Sequence, residues 1–298
     1  MEMHILSAAD QQTNYFKRFV KSLVQKFQPL QLFCFAKTNL LSENNGCFRD
    51  QQHTNHCNYC LLMVTDSSIR IDHEVQEFTN VRYRKGNVSI ICHDQQSILE
   101  AIKANSRFFT TVYTNGQLLY SHDGMVQVDF IGKFIPAYAA DKALKHFNHR
   151  MPLAEGFLNG ATECLARQNF TICTFMLHQV VEQCCILLIR VHLGYRSEVH
   201  NLLRMLRLCS AFSDRPIQTF LSGSRDDERL FDLLMKSYSG SRYRTGYSVT
   251  QQEAQSLFER TSLFLNLVKD MCEAKIESLK NEATFHNKLI GESEVKVA

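Results

Sequence analysis

The sequence predicts an α+β protein of two domains, an α/β half built on a small mixed sheet followed by an all-α, up-down helical bundle. Three observations predict this. The 298 residues suit two domains at roughly 100–200 residues each. As far as Tyr120, short apolar runs of strand length alternate with helical patterns, as they do when helices cover one sheet. From Leu153 onward apolar residues recur at helical spacing, and no strand-like run intervenes.

In the first half, Tyr15 to Phe27 places Phe16, Phe19, Val20, Leu23, Val24 and Phe27 on one helical face. Leu30 to Ala36 is a short buried-strand candidate. Asn39 to Asn58 is polar and reads as a loop, with Asn44-Asn45-Gly46 as its turn. Leu61 to Val64 and Asn87 to Cys92 are further strands, Ser97 to Ala104 a helix, and Gly116 to Tyr120 a strand after a turn.

In the second half, Leu153 to Gln168 is helical. Phe170 to His192 is longer and apolar almost all round, which predicts the central, most buried helix, stopped by Gly194. Val199 to Phe212 is a third helix. Pro216 opens a short fourth segment, and Asp226 to Ser237 and Thr250 to Lys275 complete the bundle. Thr250 with Glu253 three residues on is a capping-box signature. The expected boundaries are 1–135 for the first domain, 136–152 for a linker, 153–275 for the bundle and 276–298 for a polar, frayed tail; Pro136 lies before a boundary helix and Pro152 opens the second half.

Apolar residues make up 45% and charged residues 21%, an ordinary globular balance. A net charge of +3 is too small to argue for nucleic acid, so any basic site must be local. The first residues, MEMHILSAADQQTNYF, lack the basic start and apolar core of a secretory signal. Ile186 to Ile189, the longest apolar stretch, is bounded by Glu182 and Arg190, short of the roughly 20 residues of a membrane span. Eleven cysteines in an unsecreted chain point to reduced thiols and the cytoplasm.

Three elements carry a resemblance. The long helical segment contains Phe175-Met176-Leu177-His178-Gln179-Val180-Val181-Glu182. After Gly194 comes Val199-His200-Asn201-Leu202-Leu203, and later Tyr238-Ser239-Gly240-Ser241-Arg242-Tyr243. In this order they resemble the HEPN domain (higher eukaryotes and prokaryotes nucleotide-binding), with its hydrophobic–His–Gln–Ala–x–Glu run, its Thr/Val–His–Asp/Asn–Leu element and its Tyr–x–x–Ala–Arg–Tyr. The resemblance implies nucleotide or RNA binding and a homodimer made through the bundle. It also implies a place in toxin–antitoxin, defence or stress systems.

His178 and Glu182 lie four apart on one helical face. Either they face a cleft or dimer groove, or they hydrogen-bond within the bundle and tie the long helix to its neighbours through His200.

The first half resembles the small nucleotidyltransferase domain often fused to HEPN. That family carries a strand ending in Gly-Ser, then Asp-x-Asp leading into an apolar strand. Here the first site reads Phe33-Cys34-Phe35-Ala36-Lys37, and the second reads Cys57-Asn58-Tyr59-Cys60-Leu61-Leu62-Met63-Val64. Asn58 and Cys60 occupy the places of the two carboxylates. Nucleotidyl transfer needs carboxylates to hold Mg²⁺, and a neutral amide and a thiol are poor ligands for it. The resemblance with these departures implies a catalytically dead transferase fold, with no cofactor and no metal.

HEPN ribonucleases place four to six residues between an Arg and a following His. Arg196 and His200 have only three residues between them, no His follows Arg242 or Arg244, and Arg49 with His56 falls in the polar segment of the other domain. Both acid–base and phosphate roles are therefore without their usual pair. Arg242-Tyr243-Arg244, in a Gly-containing turn, could grip a phosphate and stack a base. Alternatively it is a helix terminus whose arginines satisfy carbonyls, with Tyr243 in the core. Cys57-x-x-Cys60 with Cys47, His53 and His56 has zinc-ligand chemistry but lacks a second well-spaced pair. Cys184 and Cys185 read as core. Arg204 and Arg207, with Arg190 and Arg196 upstream, form either a basic patch or a solvated face.

The resulting expectation is a non-catalytic nucleotide- or RNA-binding module that meets no membrane. Arg242, Tyr243, Arg244, His178, Glu182 and His200 are its ligand-binding candidates. The alternatives are a metal-independent ribonuclease using Arg242, Arg244 and His200 or His178 as catalytic groups, and a dimeric scaffold without a small ligand.

Overall fold

The structure, a computed structural model, describes residues 8–46, 49–123, 134–243 and 245–295. It divides into two compact units, Met1–Phe134 and Ile135–Ala298.

The first unit opens with α1 (Ala8–Phe27), then β1 (Gln31–Gly46), β2 (Arg49–Thr65), α2 (Asp72–Arg82), β3 (Gly86–Asp94), α3 (Gln95–Lys103), α4 (Arg107–Asn115) and β4 (Gln117–Ser121). The strands form one mixed sheet in the order β3-β2-β1-β4. β1 is antiparallel to β2 and β4, and β2 is parallel to β3.

Side chains alternate between the faces of a strand, so β2 serves two cores. Cys57, Tyr59, Leu61 and Met63 join Leu32, Val88 and Ile90 against Phe16, Phe19 and Leu23 of α1, Val75 of α2 and Tyr83. The Phe16 and Tyr59 rings stack there at 3.8 Å. On the other face Phe33, opposite Leu62, meets Tyr113 of α4 at 4.7 Å, and Phe35 meets Phe108 at 5.3 Å.

Buried Gln76 of α2 binds the outermost strand. Its amide nitrogen donates to the Val88 carbonyl at 2.8 Å, and its oxygen accepts from the Ile90 N–H at 3.1 Å. An otherwise open backbone edge is thereby satisfied.

Two expectations differ here. The polar segment Asn39 to Asn58 is not a loop: β1 and β2 stay paired out to Gly46 and Arg49. Ladder bonds are made by the backbone. Once the apolar halves near Phe33 and Leu62 set the register, the polar residues continue it. Helices α2 and α4 escaped the sequence reading, because each buries only a few side chains and α2 buries two polar ones, Gln76 and Thr79.

The second unit begins with a 3₁₀ turn (Pro136–Tyr138), followed by α5 (Ala139–Ala166), α6 (Phe170–Leu193), α7 (Leu202–Cys209), α8 (Arg215–Gln218), α9 (Arg225–Tyr243) and α10 (Gln251–Val295). α6 is the central helix and packs against α5, α7, α9 and α10. Leu177, Val180, Val181, Cys184, Cys185, Leu188 and Ile189 are buried on it.

The helix ends have local causes. Gly194 caps α6 in the left-handed conformation at φ 70°, which glycine adopts without a Cβ clash. The Asn201 side chain caps α7 by accepting from the Arg204 N–H at 3.0 Å. Thr250 and Glu253 form the capping box: the Glu253 carboxylate accepts from the Thr250 N–H at 2.9 Å, and the Thr250 hydroxyl accepts from the Glu253 N–H at 3.3 Å.

A helix follows Pro136 as expected, but it is α5 and it runs on from Ala139 through Pro152, so 136–152 is not a separate linker. An interior proline costs about 3 kcal/mol, but burial of Ala140, Ala143, Met151, Ala154 and Ala161 along the bundle offsets it. The expected tail, from residue 276, continues α10, with Ile276 and Leu279 buried beyond Cys272. By length and composition α6 would pass for a membrane span, contrary to the reading of its apolar run as too short; two-thirds of that stretch is buried within the bundle.

Candidate ligand-binding site

A cluster of polar and aromatic side chains gathers where α6, the segment before α7, and the end of α9 meet. His178 and Glu182 sit one turn apart on α6, and both are buried. Glu182 is a hub. Its Oε1 lies 2.7 Å from His200 Nδ1, and its Oε2 accepts from Gln179 Nε2 at 3.3 Å and lies 3.9 Å from His178 Nδ1. The two histidines differ sharply in access: the His178 side chain is 5% exposed and that of His200 75%.

Gln179 Nε2 also lies 3.2 Å from His178 Nδ1. An amide nitrogen can only donate, so Nδ1 accepts and the neutral His178 ring carries its proton on Nε2. Burial depresses the His178 pKa to about 4. Glu182 opposes that shift, and Arg242 adds to it. His178 is neutral at pH 7.

On the far side of His178 lies Tyr238 of α9, with ring centroids 5.3 Å apart. Arg242, one turn on, lays its guanidinium over the Tyr238 ring at 4.1 Å, with Tyr243 at 5.0 Å and Phe175 at 5.8 Å. Its Nε donates to the Tyr238 carbonyl at 2.7 Å, one turn back near the end of α9. Gly240, between Tyr238 and Arg242, makes room for Tyr247: a Cβ there would come within 2.6 Å of the Tyr247 ring.

Of the two sequence readings of Arg242 and Tyr243, the structure matches the helix terminus and not the turn. Tyr238 to Tyr243 is helix, the end of α9, and not a turn. Tyr243 is 77% exposed and so is not core. Arg244 lies outside the described residues. Two contributors were missed as site residues, Phe175 and Tyr238, although both stand in the quoted motifs. The four-residue step from Tyr238 to Arg242 was the available signal.

Residues 149–271 match the model of the HEPN domain family. The bundle is a HEPN domain. Among solved structures the chain is similar to an archaeal HEPN homologue, at 18% identity over 42% of this chain and 96% of that one, with a TM-score of 0.32. It is also similar to a nucleotidyltransferase-like protein from Exiguobacterium sibiricum, at 11% identity over 88% of this chain and 78% of that one, with a TM-score of 0.29. No curated protein matches the chain.

Outside the HEPN domain, Asn58 and Cys60 lie on the α4 face of the sheet, two residues apart on β2. Asn58 Oδ1 accepts from the Asn87 N–H at 3.3 Å and from Asn87 Nδ2 at 3.1 Å, so it links β2 to β3. Cys60 is 5% exposed. Cys57 points to the opposite face, into the α1 core. The pair Cys57 and Cys60 therefore cannot converge on one zinc ion. Cys47 lies outside the described residues, and no group of three metal-binding side chains occurs among those described. Cys184 and Cys185 are fully buried, and burial raises both thiol pKa values.

Proposed function

We propose that this protein is a non-catalytic nucleotide- or RNA-binding module whose HEPN domain holds the ligand beside Arg242. The observation that carries the reading is the Arg242 guanidinium packed among Tyr238, Tyr243 and Phe175 at an exposed helix end. Arginine fits phosphate bidentately, and exposed aromatic faces stack bases without regard to sequence. The Glu182–Gln179–His178 network lies beside them, and burial keeps His178 uncharged.

The first domain is read as a nucleotidyltransferase-like fold without transfer activity. Its two acid positions hold Asn58, engaged with Asn87, and buried Cys60, and neither supplies a carboxylate for Mg²⁺. In the same reading the protein is a homodimer through the HEPN bundle and serves a regulatory role of the toxin–antitoxin, defence or stress kind.

Labelled RNA and nucleoside triphosphates test this, with and without Mg²⁺. Binding without turnover is expected. Arg242→Ala should weaken it about tenfold, in line with roughly 1–3 kcal/mol for a stacked base. Unchanged affinity in that variant would remove the site.

One observation favours a second reading, the metal-independent ribonuclease. His200 is exposed, and a buried carboxylate fixes its Nδ1, an orientation suited to general acid–base work. RNA cleavage in EDTA, abolished by His200→Ala, would establish that reading over the first.

A further inference from the structure

We propose that the accessible stripe of α6 is the track of a single-stranded nucleic acid. The Arg242 cluster would hold a base at one end, and Arg150, Arg190 and Arg196 would hold phosphates at the other. This rests on the reading of the Arg242 cluster as a base-stacking site.

α6 is buried on most sides. Its partly accessible residues Met176, Gln179, Gln183, Ile186 and Arg190 follow steps of three and four, and so draw one line along the helix. Gln179 belongs to the His178–Glu182 network. Arg190 lies 11 residues further on, about 16 Å along the axis.

Three segments bring cations to that far end. α5 and α6 are joined by a short turn and pack side by side, and Arg150 of α5 donates to the Gln183 amide oxygen on the stripe. This contact sets the register and brings His146, one turn earlier on α5, beside the part of α6 that leads to Arg190. Gly194 then reverses the chain. Arg196 is exposed in the returning segment, which runs back to place His200 on Glu182.

The electrostatics agree with this placement. Burial disfavours the Arg190 cation, and Arg196 and Arg150 disfavour it further. Burial lowers the His146 pKa, and Arg190, Arg150, His149 and Lys145 lower it further. Arg167, Arg229 and Arg260 are ion-paired to carboxylates, whereas Arg150 donates to the neutral Gln183 amide.

A row of cations that ends at an aromatic–arginine cluster matches a polymer of phosphates and bases. An acidic peptide offers no base to stack. A second copy of the chain laid face to face would set like charges together.

The test compares the full protein binding AMP and an oligouridylate of about ten nucleotides, a length within ordinary single-strand site sizes. The strand should bind at least about tenfold tighter, with a strong salt dependence. R150Q/R190Q/R196Q should lose that advantage and flatten the log–log salt slope by about 2, at roughly 0.7 per phosphate contact. AMP binding should persist in this variant, whereas R242A should weaken both ligands. R190Q/R196Q keeps Arg150 on Gln183 and serves if the triple variant fails to fold; its slope should flatten by about 1.4.

Unchanged strand affinity and slope in the variants, with AMP still bound by the wild type, would overturn the track and leave the base site standing. No binding of either ligand by the wild type would remove both. A change of oligomeric state in R190Q/R196Q, with strand binding intact, would assign the stripe to a second copy and also overturn the track.

Discussion

Glu182 shows how one buried carboxylate organises a site. It faces His200 through one oxygen and the Gln179–His178 pair through the other. His178 is held neutral at an ordinary solution pH, so folding stability should depend on acid. An unfolded histidine titrates near 6.5 and the buried one near 4, so between those values the unfolded chain binds the extra proton. Stability contributed by neutral His178 is complete above about pH 6.5 and is lost as the pH falls toward 4. Denaturant unfolding at several pH values should show this slope, and His178→Asn should flatten it.

Asp227 behaves similarly at lower pH. Hydrogen bonding from Ser222, then from Arg260, holds its carboxyl down to about 2. Its contribution should be present above about pH 4 and vanish as the pH falls toward 2. Asp227→Asn should remove that part of acid unfolding. Gln76 illustrates a neutral case: Gln76→Leu leaves the Val88 carbonyl and Ile90 N–H without their partner, and should lower stability by about 1–3 kcal/mol in equilibrium unfolding.

Among the elements, α10 departs furthest from its expected length. Its apolar stripe thins after Cys272, yet Ile276 and Leu279 are still buried. Truncation after Lys275 should therefore cost about 3 kcal/mol or more, since each lost aliphatic side chain leaves a cavity worth roughly 2–5 kcal/mol. A chain with a free tail would lose almost nothing in the same thermal melt. The α6 terminus is a second case. Gly194→Ala forces a Cβ into the left-handed region, and should cost about 1 kcal/mol.

At the scale of the whole chain, each unit has its own core, one around a mixed sheet and one around α6. Much of this was legible beforehand. The period of the apolar residues is a local property, so it marked α6 as central, β2 and β3 as strands, and Thr250 and Gly194 as helix ends. The residues of the candidate site were legible too, because His178, Glu182 and His200 stand at fixed spacings along the chain. Other features depend on partners distant in sequence. The pairing that carries β1 and β2 through polar residues, and the helix that passes Pro152, follow from neighbouring elements that override local propensity.

The same division holds for the site. Residue types and spacing alone determined which side chains were available for it: a histidine and a carboxylate one turn apart, and an arginine beside tyrosines. Only the tertiary structure decided their states. Burial made His178 neutral and left His200 open, and the packing of α9 on α6 brought Arg242 over Tyr238 and Phe175. Solvent access and through-space distance are properties of the packed chain, and a linear pattern carries neither.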